Sequence, residues 1–315
     1  MFKMKKLTPE QKEFKKEVIK KNLKNSRASY ALMAPYLLIF LTFTIIPVVV
    51  GFGLSFTNYD MLQAPKFVGL DNYVNLFLYD EVFIIALKNT LILAVITGPV
   101  SYIMAFLFAW LINELPHKIR GLMTLIFYAP SISGNAYVIW QLLFSSDRHG
   151  YINSFLIRMG LTNEPILWLT TPSYALIILI IVQLWLSLGV SFLSFRAGLQ
   201  TVDRTLFEAA AIDGIKNRWQ ELWYVTLPQM KSQLLFGAVM QITNSLGIGM
   251  VSVNLFGMPS TEYAAHTLVT HLLDFGSTNS TRLEMGYASA IAVVLFLLMM
   301  ASNLVIQKVI RRVGS

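Results

Sequence analysis

Uncharged polar and aromatic side chains recur inside the most apolar stretches of this 315-residue sequence. Amides and hydroxyls both donate and accept hydrogen bonds, and aromatic rings add flat apolar surfaces. This combination suits an uncharged ligand that carries many hydroxyl groups, which is the chemistry of a sugar. The same side chains could instead hydrogen-bond one membrane helix to another, and the sequence leaves both interpretations open. The set comprises Tyr137, Trp140, Gln183, Trp185, Ser187, Gln241, Asn244 and Ser245.

Groups that catalyse reactions or bind nucleotides are sparse in the sequence. It has no cysteine, no G-x-x-x-x-G-K-S/T motif and no Gly-Lys pair, so it cannot bind phosphates in the P-loop manner. His266 and His271 lie five residues apart, but we interpret their surroundings as a polar extracellular loop rather than a metal site. We therefore expect no catalysis, no metal site and no cofactor bound by this chain.

Residues 199–228 form a charged, amphipathic stretch between two strongly apolar ones. The pattern predicts two short helices. Asp203 should cap the first helix, because its side chain can accept a hydrogen bond from a free backbone N–H group. Gly214 then breaks the pattern, and Asn217 with a glutamine three residues later predicts a capping box for a second helix. That helix should stop before Pro228. Such a helix pair suits the docking of a soluble partner.

The elements that must position these residues are apolar and long. Of the whole sequence 55% is hydrophobic and 13% is charged, and the mean hydropathy is +0.59. Six segments lack Asp, Glu, Lys, Arg and His and are each 22 to 26 residues long, enough to cross a hydrocarbon core of about 30 Å. The sequence therefore predicts an all-α membrane protein with six transmembrane helices. The spans are predicted at about 31–56, 89–113, 122–145, 173–195, 232–256 and 285–306.

The distribution of Lys and Arg predicts the orientation in the membrane. Six spans place the N-terminal tail, the 199–228 loop and the C-terminus on the same side of the membrane. That side carries twenty Lys and Arg residues, and the other side carries five. The excess places both termini and this loop in the cytoplasm of a multi-pass cell-membrane protein. A membrane thus accounts for the net charge of +8, and we expect no nucleic-acid partner.

Three regions follow from this topology. Residues 1–30 are predicted to be a basic cytoplasmic tail, 31–307 the six-span domain and 308–315 a cytoplasmic C-terminal tail. A capping box that begins at Thr8 predicts a helix in the first tail. That helix either lies on anionic membrane lipid or belongs to a solvated tail that only fixes orientation.

One motif in the 199–228 loop resembles a known family. Glu208-Ala209-Ala210, then Gly214 and then Leu227-Pro228 is similar to the EAA loop of ATP-binding-cassette importer permeases, in the branch for maltose and multiple sugars. The resemblance implies that the loop seats in a cleft of a separate ATPase. The spacing from Gly214 to Val225 is one residue longer than is usual, so the start of the second helix is expected to be rotated or looped out. The residues implied in coupling are Glu208, Ala209, Ala210, Asp213, Gly214, Leu227 and Pro228.

The resemblance continues outside this loop, from about residue 30 to 310. Residues 55–60, 67–73 and 143–153 are similar to the outer loops of sugar-importer permeases. The resemblance implies the fold of a type I importer permease, with an EAA-type coupling helix pair on the cytoplasmic side. It also implies the first permease of a heterodimer, which receives a carbohydrate from an extracytoplasmic sugar-binding protein. An ATPase dimer would bind ATP and Mg.

A second hypothesis is a membrane scaffold or a stand-alone facilitator. In it, the 199–228 loop would be an interfacial helix pair on the inner leaflet, where Trp219 and Trp223 would be favourably placed. A lipid-bound hairpin has no need for Glu208 beside three alanines, whereas a protein cleft can use a small-residue face for close approach. The sequence therefore favours docking.

Overall fold

The computed structural model describes residues 26–277 and 283–312. The helix predicted from Thr8 lies outside these residues, and the boundaries predicted at residues 30 and 307 stay predictions. The regular structure of the described part is helical apart from one antiparallel bridge between Thr57 and Phe67. The chain divides into two units, residues 1–53 and 54–315.

The first unit contains the helix Arg27–Phe40, a π-helical turn at Leu41–Ile45 and the start of the helix Ile46–Leu54. Together they form an apolar helix, and Ala28–Leu54 is long enough to cross a membrane. Pro47 follows the π turn by two residues. Proline lacks an N–H and its ring clashes with the carbonyl four residues earlier, so a wider turn just before it relieves the clash.

The second unit is built around the helix Glu81–Asn113, whose N-terminus is capped by Asp80 through a 2.8 Å bond from the backbone N–H of Phe83. Helices 190–201 and 231–246 pack against it and against each other. The helices are Asp71–Leu78, Glu81–Asn113, His117–Ile132, Tyr137–Leu143, Tyr151–Arg158, Pro172–Leu186, Val190–Thr201, Arg204–Ile212, Arg218–Glu221, Leu227–Gln229, Lys231–Leu246, Met250–Phe256, Leu268–Gly276 and Met285–Arg312.

The described residues include four helices long and apolar enough to cross a membrane, and up to six spans if each bent pair counts as one. The spans predicted at 122–145 and 232–256 each correspond to a bent pair of helices rather than to one continuous helix. Helices 117–132 and 137–143 meet at 86°, and helices 231–246 and 250–256 meet at 41°. Glycine lies in both breaks, at Gly134 in the first and at Gly247 and Gly249 in the second, and glycine tolerates non-helical backbone angles.

Candidate functional site

The 199–228 loop contains the predicted first helix and bend. The helix Arg204–Ile212 begins at Asp203, whose Oδ1 accepts a 3.0 Å hydrogen bond from the backbone N–H of Thr205, so the predicted cap is confirmed. The chain then turns at Gly214, which has φ +93°. The predicted break is confirmed, because a positive φ cannot continue a right-handed helix. Glycine adopts such an angle readily, whereas other residues rarely do.

The second helix of the loop differs from the prediction. It begins as expected, since Asn217 Oδ1 accepts from the N–H of Gln220 at 2.9 Å and Gln220 Oε1 accepts from the N–H of Lys216 at 2.9 Å. It does not end before Pro228, and its start is not looped out. A π turn at Leu222–Thr226 holds the extra residue and leads into Leu227–Gln229. A π turn contains one more residue than an α turn, and here too it precedes a proline by two positions.

The outer surface of the loop combines charge with large exposed apolar side chains. Glu208, Ala209, Asp213, Gly214 and Pro228 are exposed, Leu227 is half-buried and Ala210 is buried. Ile212 is 87% exposed, and the other large exposed apolar side chains of the loop are Leu206, Trp219, Trp223 and Tyr224. Several large exposed apolar side chains on a charged loop are typical of a protein interaction site.

The loop is attached to the end of helix 81–113. Arg218 lies 3.3 Å from Glu114 and 2.8 Å from Glu221, and the rings of Trp110 and Trp219 are 5.1 Å apart. The hydrogen bond to Glu221 and the charge of Glu114 raise the pKa of Arg218 above its ordinary value. Exposed ion pairs contribute only about 0–1 kcal/mol each. The contact between Trp110 and Trp219 therefore also helps to hold the loop on helix 81–113.

A second feature lies where the apolar helices are interrupted. A cavity of about 210 Å³ is bordered by the bend between helices 117–132 and 137–143, by the end of helix 172–186 and by the start of helix 250–256. Broken helices leave backbone groups free to bind a ligand near the middle of a membrane. The polar residues in the cavity wall are Ser131, Ser133, Tyr137 and Asn254.

The structure brings only some of the predicted pathway residues to this cavity. Tyr137 lines it, and Trp140 and Trp185 form an edge-to-face pair at 5.6 Å. Gln183, Ser187, Gln241 and Ser245 are buried, whereas Asn244 is exposed.

The buried members of the predicted pathway set contact neighbouring helices. Ser187 Oγ donates to Ser101 Oγ at 2.6 Å, and Gln241 Nε2 donates to the carbonyl of Ser187 at 3.0 Å. Sequence reasoning missed Ser131, Ser133 and Asn254; the Ser and Gly residues after Pro130 are the signal that marks the first two. The assignment of all these residues to a pathway stays a prediction.

A buried polar cluster surrounds Asp80. His266 and His271 are each at most 2% exposed; His266 lies in the connection predicted as a polar loop, whereas His271 belongs to the helix Leu268–Gly276. His271 Nε2 lies 2.9 Å from Asp80 Oδ2, which also accepts a 2.7 Å bond from the hydroxyl of Tyr287. Burial acts to raise the pKa of Asp80, but these hydrogen bonds and that of Phe83 outweigh it and lower the pKa to about 2.

His266 should make the fold sensitive to mild acid. Burial and then the neighbouring His271 lower the pKa of His266 from 6.5 to about 4, so the fold stabilises its neutral form. This stabilisation is complete above pH 6.5 and is lost as the pH falls towards 4. We expect the thermal unfolding midpoint to fall over this range, and to fall less in His266→Gln. The exposed His149→Gln is the control and should behave as wild type; equal pH profiles for all three proteins would contradict the assignment.

Comparisons with known proteins place this geometry in context. The family model described as binding-protein-dependent transport system inner membrane component matches residues 90–315. The chain is 33% identical to the probable ABC transporter permease protein YesP of Bacillus subtilis (strain 168), covering 90% of this chain and 91% of that protein. It is 34% identical to the lactose transport system permease protein LacF of Rhizobium radiobacter, covering 68% of this chain and 70% of that protein.

A solved structure has a similar fold. It is a chain of a bacterial ABC transporter involved in the import of the acidic polysaccharide alginate, with a TM-score of 0.75 and 26% identity. The similarity covers 94% of this chain and 99% of that chain. The alginate transporter in complex with an alginate pentasaccharide-bound periplasmic protein gives a TM-score of 0.76 at 26% identity, covering 94% of this chain and 98% of that chain.

Proposed function

Because this chain belongs to the family of binding-protein-dependent transport system inner membrane components, we propose that it carries a sugar or an oligosaccharide into the cytoplasm as a permease subunit of an ATP-binding-cassette importer. Its relatives are permease subunits, including those of lactose and arabinooligosaccharide transport systems. The chain is a transporter subunit rather than an enzyme, and ATP hydrolysis belongs to a separate subunit. Membership of this family disfavours the scaffold or stand-alone facilitator.

The observation that carries the mechanism is the form of the 199–228 loop. It is a bent helix pair that exposes Glu208 and large apolar side chains, and it continues directly from helix 190–201. In the proposed mechanism the loop seats in the ATPase, and closure of the ATPase dimer moves helix 190–201. Gly214 sets the bend, Ala210 anchors the first helix, and Leu227 with Pro228 fixes the second helix to the helix Lys231–Leu246.

Partners complete the proposed machine. A second permease subunit would form a heterodimer with this chain, because the 210 Å³ cavity is small for an oligosaccharide path. ATP and Mg would bind to the ATPase dimer on the cytoplasmic side, where the Lys and Arg distribution places both termini. An extracytoplasmic sugar-binding protein would deliver the substrate, as suggested by the periplasmic protein in the alginate complex.

The proposed sugar path runs through the helix breaks. Tyr137 and the Trp140–Trp185 pair would offer aromatic surfaces to sugar rings, and Asn254 with the nearby serines would hydrogen-bond hydroxyl groups. Gln183, Ser187, Gln241 and Ser245 would line the path only when the buried helix contacts open. Asn244 would face the path or the second permease.

Charge reversal at Glu208 tests the docking mechanism. We expect Glu208→Lys to reduce the amount of ATPase that copurifies with the permease pair by at least about tenfold, since charge-assisted contacts contribute roughly 1.5–3 kcal/mol. The measurement is quantitative recovery of the ATPase on the tagged permease. Glu164→Lys is the matched control, because Glu164 is also exposed but lies outside the 199–228 loop, before the helix Pro172–Leu186. Undiminished recovery with Glu208→Lys would contradict the mechanism.

A further inference from the structure

A second, larger cavity borders the 199–228 loop. It measures about 880 Å³ and is enclosed by this loop, the end of helix 81–113, the start of helix 117–132 and the end of helix 190–201. Glu208, which is assigned to docking, also lines this cavity, but neither docking nor sugar passage accounts for the arginines in its wall. Its arginines are Arg120, Arg196, Arg204 and Arg218.

Arg196 is the most unusual of these residues. It is buried, with only 6% of the residue surface exposed. Nη1 donates a 3.0 Å hydrogen bond to Asn113 Oδ1, but the buried Nε has no hydrogen-bond partner in the described structure. A buried guanidinium is costly unless its charge and its donors are satisfied.

Arg120 binds the same piece of chain. Its Nη2 donates to the carbonyls of Asn113 at 2.8 Å and Leu115 at 3.0 Å, and its Nε also donates to Leu115. These acceptors are uncharged. Arg120 and Arg196 are close enough to repel each other, and no carboxylate in residues 26–277 or 283–312 lies within 4.0 Å of either. Two cations thus share one amide-lined corner without a counter-charge.

The carboxylates that border the cavity do not supply this counter-charge. Glu114 and Glu221 both pair with Arg218. Glu208 is exposed on the loop. Four arginines and three glutamates line the cavity, so these side chains together carry a net charge of +1. The electrostatic balance therefore favours an anion, next to the two arginines that have no carboxylate partner.

We propose that Arg120 and Arg196 bind the phosphate group of a phosphorylated ligand in this cavity. Guanidinium groups match phosphate oxygens with paired, charge-assisted hydrogen bonds. The volume exceeds that of a free phosphate ion, and Trp110, Phe207 and Leu222 provide an apolar wall for an organic remainder. A phospholipid headgroup and a soluble phosphate ester share this chemistry.

Phosphate binding would act on the coupling loop. Arg120 belongs to helix 117–132 and Arg196 to helix 190–201, which leads into the loop. A phosphate held by both side chains would fix the spacing of these two helices. The ligand would thereby set how freely helix 190–201 moves when the ATPase closes, which makes the cavity a regulatory site distinct from docking and from sugar passage.

Asn113→Asp is the most informative variant. The new carboxylate would lie where Asn113 Oδ1 is, 3.0 Å from Arg196 Nη1, and would supply an internal counter-charge without loss of the acceptor. The full chain is purified in phospholipid-free detergent and titrated with glycerol 3-phosphate by calorimetry at constant ionic strength. The same chain is released from phosphatidylglycerol nanodiscs and its retained phospholipids are counted by native mass spectrometry.

The outcomes separate the two sources and can reject the proposal. Saturable glycerol 3-phosphate binding that Asn113→Asp abolishes would identify a soluble ester, and a phospholipid retained by wild type but not by Asn113→Asp would identify a headgroup. Arg196→Gln should weaken either by about 10- to 100-fold, whereas Arg158→Gln, a change at an exposed arginine, should not. The proposal is overturned if neither ligand binds, or if Asn113→Asp and wild type respond equally.

Discussion

Replacement of Gly214 by valine is expected to uncouple the ATPase from the permease while leaving the membrane domain folded. Gly214 has φ +93°, and a Cβ atom built there meets no atom within 4 Å. The substitution therefore introduces backbone strain, about 1–3 kcal/mol, rather than a collision. The loop can relieve this strain by changing the bend between its two helices, which displaces the docking surface. ATPase recovery on the permease and ATP-driven sugar uptake should both fall at least about tenfold.

Gly160→Val is the matched control for this experiment. Gly160 also has a positive φ, +68°, and open space around its Cβ position, and it follows the helix Tyr151–Arg158 rather than the coupling loop. It should cost similar strain but leave ATPase recovery unchanged. If both variants lose the ATPase equally, general destabilisation would explain the result and the bend at Gly214 would have no specific role.

The largest loss of stability is expected from Gly237→Leu. A Cβ atom at Gly237 would overlap the ring of Phe195, and that ring is held edge-on by Tyr102 at 5.4 Å and by Phe106 at 5.6 Å. Phe195 is fully buried, so it has no free space into which to move. Helices 190–201 and 231–246 must separate, at a cost of at least about 1–3 kcal/mol. The thermal unfolding midpoint of the purified chain should drop, and less protein should reach the membrane.

Gly121→Leu separates this collision from the effect of leucine on helix formation. Gly121 lies within the helix His117–Ile132, and its Cβ position meets no atom within 4 Å. Both substitutions replace glycine with a better helix former. Gly121→Leu should therefore leave the unfolding midpoint unchanged or raise it. An unchanged or raised midpoint in Gly237→Leu as well would contradict the close packing of helices 190–201 and 231–246 at Gly237.

Local rules predicted much of the coupling loop. The cap at Asp203 and the bend at Gly214 depend on interactions within a few residues of sequence, so the sequence contains the necessary information. The π turn at Leu222–Thr226 did not follow from these rules. Proline usually ends a helix, and whether a wider turn accommodates it instead depends on packing; Leu222 and Val225 are buried against the rest of the domain.

The apolar segments were predicted less completely. The absence of charged residues identifies residues 122–145 as a segment that can cross the membrane. It gives no information about the 86° bend within this segment. The polar side chains show the same limit. Gln241 and Ser187 have the residue types of a sugar site, yet they bond to each other across two helices. His266 and His271 lie far from Asp80 in sequence, so no local pattern could reveal their burial around it.

ATP-driven uptake into proteoliposomes tests the central claim most directly. The complex of this chain, its partner permease and the ATPase would be reconstituted into proteoliposomes. In one experiment ATP is inside, and in the other it is outside; the sugar-binding protein and a radiolabelled sugar are always on the side opposite to ATP. Sugar should accumulate only when ATP is on the same side of the membrane as the 199–228 loop, and this accumulation should be lost in Glu208→Lys. Sugar equilibration by this chain alone, without ATP or the ATPase, would contradict the central claim and would support a stand-alone facilitator.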